Sequence, residues 1–86
     1  MTKEDIRSEL LKVFEEQFEI VDPDLDADLR EAHEFDSIDA IELLREIEVL
    51  LGVELTREEK KRAMGIRSLN QIVDYVDDLA RQKAPR

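Results

Sequence analysis

The chain has 86 residues, with 23 acidic against 13 basic side chains, a net charge of −10 and no cysteine. That length makes one small domain with no depth for a large substrate cavity, and the missing cysteine excludes disulfides, zinc–thiolate sites and a thiol nucleophile of its own. The charge is uneven: residues 1–55 hold 5 basic and 18 acidic side chains and residues 56–86 hold 8 and 5, so an acidic body repels nucleic acid and anionic membrane and favours partners with basic patches. No apolar run approaches a membrane span, and Met1–Asp5 lacks the basic and apolar regions of a signal peptide, so a cytoplasmic monomer is expected.

The first helix is expected from Thr2, as N-cap, to about Phe18, with Ile6, Leu10, Val13 and Phe14 on one face. The next stretch, from Ile20 to Leu29, contains Pro23 and the alternating Asp22, Asp24, Asp26 and Asp28. It reads as a long loop anchored by Ile20, Val21, Leu25 and Leu29. The second helix is clearest from about Ser37 to Leu51, with Ile41, Leu44, Ile47 and Leu51 inward and Gly52 closing it. Ile38, Leu43, Val49 and Leu50 widen its apolar stripe, so more than one neighbour is expected to pack on it.

A short third helix follows from the capping box Thr56-Arg57-Glu58-Glu59 and is expected to stop at Gly65. The last begins at Ser68, again with a capping box to Gln71, and places Leu69, Ile72, Val73, Val76, Leu79 and Ala80 on one face. Residues 1–80 are thus expected to form a single domain and residues 81–86 a flexible tail. The fold class is all-α: a small four-helix bundle of three main helices and one short one, without strands. The first and last helices should pack on the apolar side of the second.

Ser37 stands out chemically. It lies between Asp36 and Asp39 at the start of a helix whose outer face carries Asp39, Glu42 and Glu46. Helix N-termini have orphan N–H groups and the positive end of the dipole, so a phosphodiester on a serine there is stabilised by the backbone. Such a site suits carriage of a charged group and not catalysis. The plain reading of Ser37 is an ordinary N-cap, and acids on a first helical turn are expected from the dipole alone.

The stretch Asp36-Ser37-Ile38, the long loop before it, Glu42-Leu43-Leu44 within the helix, Leu51-Gly52-Val53-Glu54-Leu55 after it and Ile72-Val73-Asp74-Tyr75-Val76 near the end together resemble the acyl carrier proteins. The resemblance covers about residues 3–80. It implies that a phosphopantetheinyl transferase moves 4′-phosphopantetheine from coenzyme A to Ser37. The thiol of that arm would hold acyl groups as thioesters for enzymes of fatty-acid, lipid or polyketide-type synthesis. It further implies that Asp36, Asp39, Glu42 and Glu46 face basic surfaces of the transferase and of acyl-transferring or acyl-modifying enzymes. Ile38 and Ile41 would give apolar contacts near the attachment point, and the space between helices would shelter a short acyl chain. A peptidyl carrier is the neighbouring alternative.

Three features depart from that family's pattern. The run His33-Glu34-Phe35-Asp36-Ser37-Ile38 lacks the usual glycine two residues before the aspartate. With the helix-compatible Leu29, Arg30, Glu31, Ala32 and Glu34 within Ala27–Phe35, the second helix is expected to extend backward past Ser37, so that modification would need that turn to open, be slow, or require a dedicated transferase. The third helix carries Arg57, Lys60, Lys61 and Arg62, read as pairing with the acidic body or as altering partner choice. The stretch from Leu55 to Leu69 is also a few residues long. Together these features point to a carrier specialised for one pathway.

Two other classes compete. The alternating aspartates resemble the start of a calcium loop, but counting from Asp22 the sixth position is Ala27 where glycine is needed and the twelfth is His33 where glutamate is needed. That leaves weak divalent-ion binding and no dedicated metal site. His33, the sole histidine, has no serine–carboxylate arrangement around it and reads as a loop or cap residue, so an enzyme is not expected. The remaining alternative is an acidic helical adaptor of the same fold without a prosthetic arm.

Overall fold

The structure is a computed structural model that describes residues 2–83. Five helices follow one another: α1 (Lys3–Phe18), α2 (Leu29–His33), α3 (Ser37–Leu51), α4 (Arg57–Ala63) and α5 (Leu69–Lys83), and no strand forms among the described residues. α1 packs chiefly against α5 and secondarily against α3, so the first and last helices pair with each other more than either does with the central one. Ile6, Leu10 and Phe14 of α1 meet Leu69, Ile72, Val73, Val76 and Leu79 of α5 in the core, and Leu43, Leu44 and Ile47 close it from α3.

α1, α4 and α5 each begin with a cap that the sequence announces. Thr2 and Asp5 exchange backbone-to-side-chain bonds of 3.1 and 3.2 Å, and Thr56 and Glu59 do the same at 2.8 and 3.2 Å. At the head of α5, Gln71 Oε1 accepts from Ser68 N–H and Ser68 Oγ accepts from Gln71 N–H. Gly52 ends α3 with φ 66, a left-handed conformation that glycine reaches without the Cβ penalty. α4 stops at Ala63, before Gly65, with Met64 as its C-cap in an ordinary right-handed conformation.

Several expectations need correction. α3 does not extend backward. α2 is a separate five-residue helix that Glu34 ends in the left-handed region at φ 54, donating its N–H to the Leu29 carbonyl. Phe35 then turns inward, and its ring lies 5.5 Å from Phe14 and 5.3 Å from Phe18. Burying that aromatic ring, together with capping by Asp36, outweighs the helical propensity of the preceding residues. Glu34 takes up the left-handed turn that glycine would otherwise supply.

On α3, Ile41 points outward where spacing places it inward, and Ile38 and Val49 of the widened stripe are exposed as well, whereas Leu43 of that stripe is buried. Val21 is exposed, while Ile20 and Leu29 do anchor the loop. Arg81, Gln82 and Lys83, expected in a flexible tail, form the last turn of α5. Arg81 is 3.2 Å from Asp77 and Lys83 3.0 Å from Glu59. The rest of the expected tail, residues 84–86, lies outside the described residues.

Of the basic residues on α4, Arg62 pairs with Asp78 at 3.0 Å and sits 5.6 Å from the Tyr75 ring centre. Its acid partner is thus on α5 and not in the acidic first two-thirds of the chain. Arg57, Lys60 and Lys61 are exposed and form no ion pair among the described residues.

Candidate functional site at the start of α3

Asp36 is the N-cap of α3, so Ser37 is its first helical residue and not the cap expected of it. Asp36 Oδ1 accepts from Ile38 N–H and Asp39 N–H, both at 3.0 Å, and Asp39 Oδ2 accepts from Asp36 N–H at 3.2 Å. The reciprocal pair fixes the first turn and leaves the serine unencumbered. Ser37 is exposed, and its hydroxyl takes part in no intramolecular hydrogen bond among the described residues.

The other hydroxyls differ. Thr2, Thr56 and Ser68 use their oxygens as cap acceptors, and Ser68 is buried. Tyr75 donates its hydroxyl to the Glu59 carbonyl at 2.6 Å, and Ser8, exposed and unbonded among the described residues like Ser37, differs in position, because it sits in the middle of α1 and not at a helix N-terminus. Burial, followed by the nearby Glu59 charge, pushes the Tyr75 phenol up to about 12, so that hydroxyl stays protonated as a donor.

Around Ser37 the surface is acidic and apolar together. Asp36 and Glu42 are exposed, while Asp39 and Glu46 are half-buried, and one oxygen of Asp39 is already committed to the cap. Ile38 is 72% and Ile41 51% exposed, and Val49, three turns along the same stripe, is 78% exposed. The family resemblance implied an outward role for the two isoleucines and did not include Val49, which continues their face at helical repeat. Arg45 lies on that stripe between Ile41 and Val49, also exposed.

Beside this turn a narrow apolar cleft runs between α2, α3, α4 and α5. Phe35, Ala40, Leu43, Leu44, Ile47, Ile66, Ile72 and Tyr75 line its walls, and Leu29, Ala63, Arg30, Asp36 and Arg67 complete it. Its free space is about 30 Å³. Phe35 and Ala40 both border the cleft from the two ends of the first turn of α3. They hold the N′ and N4 positions of a hydrophobic staple, a pattern that the sequence itself carries.

The loop aspartates serve turns. Asp24 Oδ1 accepts from Asp26 N–H at 2.9 Å, Asp26 accepts from Asn70 Nδ2 at 2.7 Å, and Asp28 caps α2 through Arg30 and Glu31 N–H. Among the described residues no three metal-ligating side chains converge. His33 ends α2 and is exposed.

A model of the family described as the phosphopantetheine attachment site matches residues 8–76. The match spans most of the chain, which therefore belongs to the phosphopantetheine-attachment family, in accord with its acyl-carrier-like helical bundle. No individual curated protein and no solved structure matches it. As a member of that family the protein is a non-catalytic carrier whose cofactor is a covalently held 4′-phosphopantetheine. The residues at the head of α3 fit such a group: a free, exposed hydroxyl on a first helical turn, where the amide N–H groups and the dipole favour an added phosphodiester. Among the described residues no helix is long and apolar enough to cross a membrane.

Proposed function

We propose that Ser37 carries the phosphopantetheine arm and that the protein conveys acyl intermediates between partner enzymes of fatty-acid, lipid or polyketide-type synthesis. The observation that carries this reading is the free hydroxyl of Ser37 on a turn already rigid through the Asp36–Asp39 cap. A base on the transferase takes the Ser37 hydroxyl proton, the serine oxygen forms one O–P bond to the pantetheine phosphate of coenzyme A, and the pyrophosphate P–O bond breaks to release adenosine 3′,5′-bisphosphate. When bound, the arm supplies the thiol that this chain lacks, on which acyl groups form thioesters.

The residues of the chain orient and present. Asp36 and Asp39 hold the first turn, the α3 dipole offsets the charge of the new diester, and the cleft beside the turn offers apolar cover for a short chain. Asp36, Asp39, Glu42 and Glu46 form the acidic part of the partner face, with Ile38 and Ile41 as its apolar centre. That pairing suits a transferase or acyl-handling enzyme with a basic, partly apolar docking patch. The unpaired Arg57, Lys60 and Lys61 of α4 support a specialised partner set, because a uniformly basic partner would be repelled there. The proposed compartment is the cytoplasm, whose reducing state keeps a carried thiol free.

Incubation with coenzyme A and a broad-specificity phosphopantetheinyl transferase, followed by intact-mass measurement, tests the assignment. The wild type should gain one phosphopantetheine and Ser37→Ala none. A gain that survives Ser37→Ala, or no gain with several transferases, rejects it.

A further inference from the structure

One side chain lining the apolar cleft ties together the two short helices beside it. Arg30, the second residue of α2, donates from Nη2 to the carbonyl oxygen of Met64 at the C-cap of α4, 3.3 Å away. Beside it the Leu29 N–H donates to the Arg67 carbonyl at 2.8 Å, so α2 is tied at two points to the chain that links α4 and α5. The free space of the cleft is about 30 Å³, room for about two water molecules. An acyl chain of more than a few carbons is larger than that, so a wall has to yield before such a chain can enter.

The walls are not equal. Those contributed by α3 and α5 consist of buried residues of the main core, among them Leu43, Leu44 and Ile72. α2 has five residues with only Leu29 buried, and α4 has seven with none. These two short helices are the movable pair, and the Arg30–Met64 bond is the side-chain link between them. It is exposed to solvent, where water can replace either partner.

The geometry points to Arg30 as a specificity-determining latch: closed, it limits the cargo sheltered by this carrier to short acyl chains, and longer chains ride outside the fold. This rests on the reading of Ser37 as the attachment residue. Arg30 touches no reacting atom; it acts by setting how far α2 and α4 separate.

The test loads wild type, Arg30→Ala and Arg30→Lys with butyryl-, octanoyl- and dodecanoyl-pantetheine from the corresponding acyl-coenzyme A compounds, using a broad-specificity transferase. Melting temperature and the rate of thioester cleavage by hydroxylamine are then read for each. In the wild type, octanoyl and dodecanoyl forms should melt no higher than the butyryl form, and their thioesters should be cleaved faster. In Arg30→Ala the octanoyl form should melt about 4–8 °C above the butyryl form, because added methylenes become buried in a domain of this size. Its thioester should also be cleaved several-fold more slowly than in the wild type. Arg30→Lys keeps a donor for the Met64 carbonyl and should keep the wild-type order. A role confined to stability would lower every form equally and leave the chain-length order unchanged, which overturns the latch. Failure of all variants to load at Ser37 overturns the carrier reading and the latch with it.

Discussion

α1 and α4 show two ways of attaching a helix to the same α5. α1 brings Ile6, Leu10 and Phe14 into complete burial, whereas α4 buries no side chain and is held by polar tethers. Those tethers are the Tyr75 hydroxyl to the Glu59 carbonyl, Arg62 to Asp78, and Lys83 to Glu59. Apolar burial is cooperative and costly to undo, while an exposed ion pair such as Arg62–Asp78 contributes little and exchanges readily with water; Lys83–Glu59 is more shielded but is a single contact. The bundle therefore pairs a rigid pedestal with a lightly fastened wall, and the cleft beside Ser37 lies where the two meet.

The sharpest way to break that contrast is Phe14→Ala. Phe14 is fully buried and its ring touches both Phe18 and Phe35. Its truncation should cost about 3–5 kcal/mol, enough to unfold much of a domain this small. Urea titration followed by circular dichroism measures it. An effect below that of any α4 substitution would mean that the pedestal has been misidentified.

Asp36→Ala comes next. It removes the acceptor for two amides of α3 and half of a reciprocal cap, so stability should fall by about 1–2 kcal/mol in the same titration. The first turn of α3 should fray with it, and transferase turnover on Ser37 should drop. Ser37→Ala, which removes no hydrogen bond, should change stability by less than about 0.5 kcal/mol. The pair of variants separates the serine's chemical role from the structural role of its neighbour.

The lightly fastened wall is probed by Tyr75→Phe. The loss of the 2.6 Å bond to the Glu59 carbonyl should cost about 0.5–1.5 kcal/mol. Because the ring itself stays, its packing in the core is retained. Amide exchange should therefore accelerate in α4 more than in α1, and equal acceleration in both would argue that the two helices open together.

How much of this was readable in advance follows from which interactions are local. The caps at Thr2, Thr56 and Ser68 depend on residues three apart, and each was evident from spacing. The start of α3 at Ser37 and its acidic outer face were likewise legible, because Asp36, Ser37 and Asp39 lie within four residues of one another. What spacing could not give was the break between α2 and α3. That break depends on Phe35 finding Phe14 and Phe18, about twenty residues away in the chain, and local propensity argued for a continuous helix. Ile41, expected inward, faces outward for a related reason. α3 is apolar on so much of its circumference that periodicity alone does not choose the buried arc, and the position of α5 does. Links such as Arg30 to Met64, or Glu48 Oε2 to Leu55 N–H at 2.8 Å, leave no mark on the sequence at all.

The smallest expected effect is also the most local test of the contrast. The Glu59 carboxyl is held below its ordinary value of 4.5 first by the Thr56 N–H, and also by Lys83. A carboxyl depressed on folding contributes stability above its unfolded value and loses it as pH falls through the folded value. The fastening of α4 should therefore weaken from about pH 4.5 downward, with no change expected from this group near neutrality. The single tyrosine, in a chain without tryptophan, makes the event visible, because Tyr75 touches the Glu59 carbonyl. On acidification, tyrosine fluorescence should change before helix content does in the wild type. In Glu59→Gln, which keeps an acceptor for Thr56 but cannot titrate, that early change should be absent. If fluorescence and helix content move together in both proteins, α4 is as firmly built into the core as α1, and a movable wall beside Ser37 is ruled out.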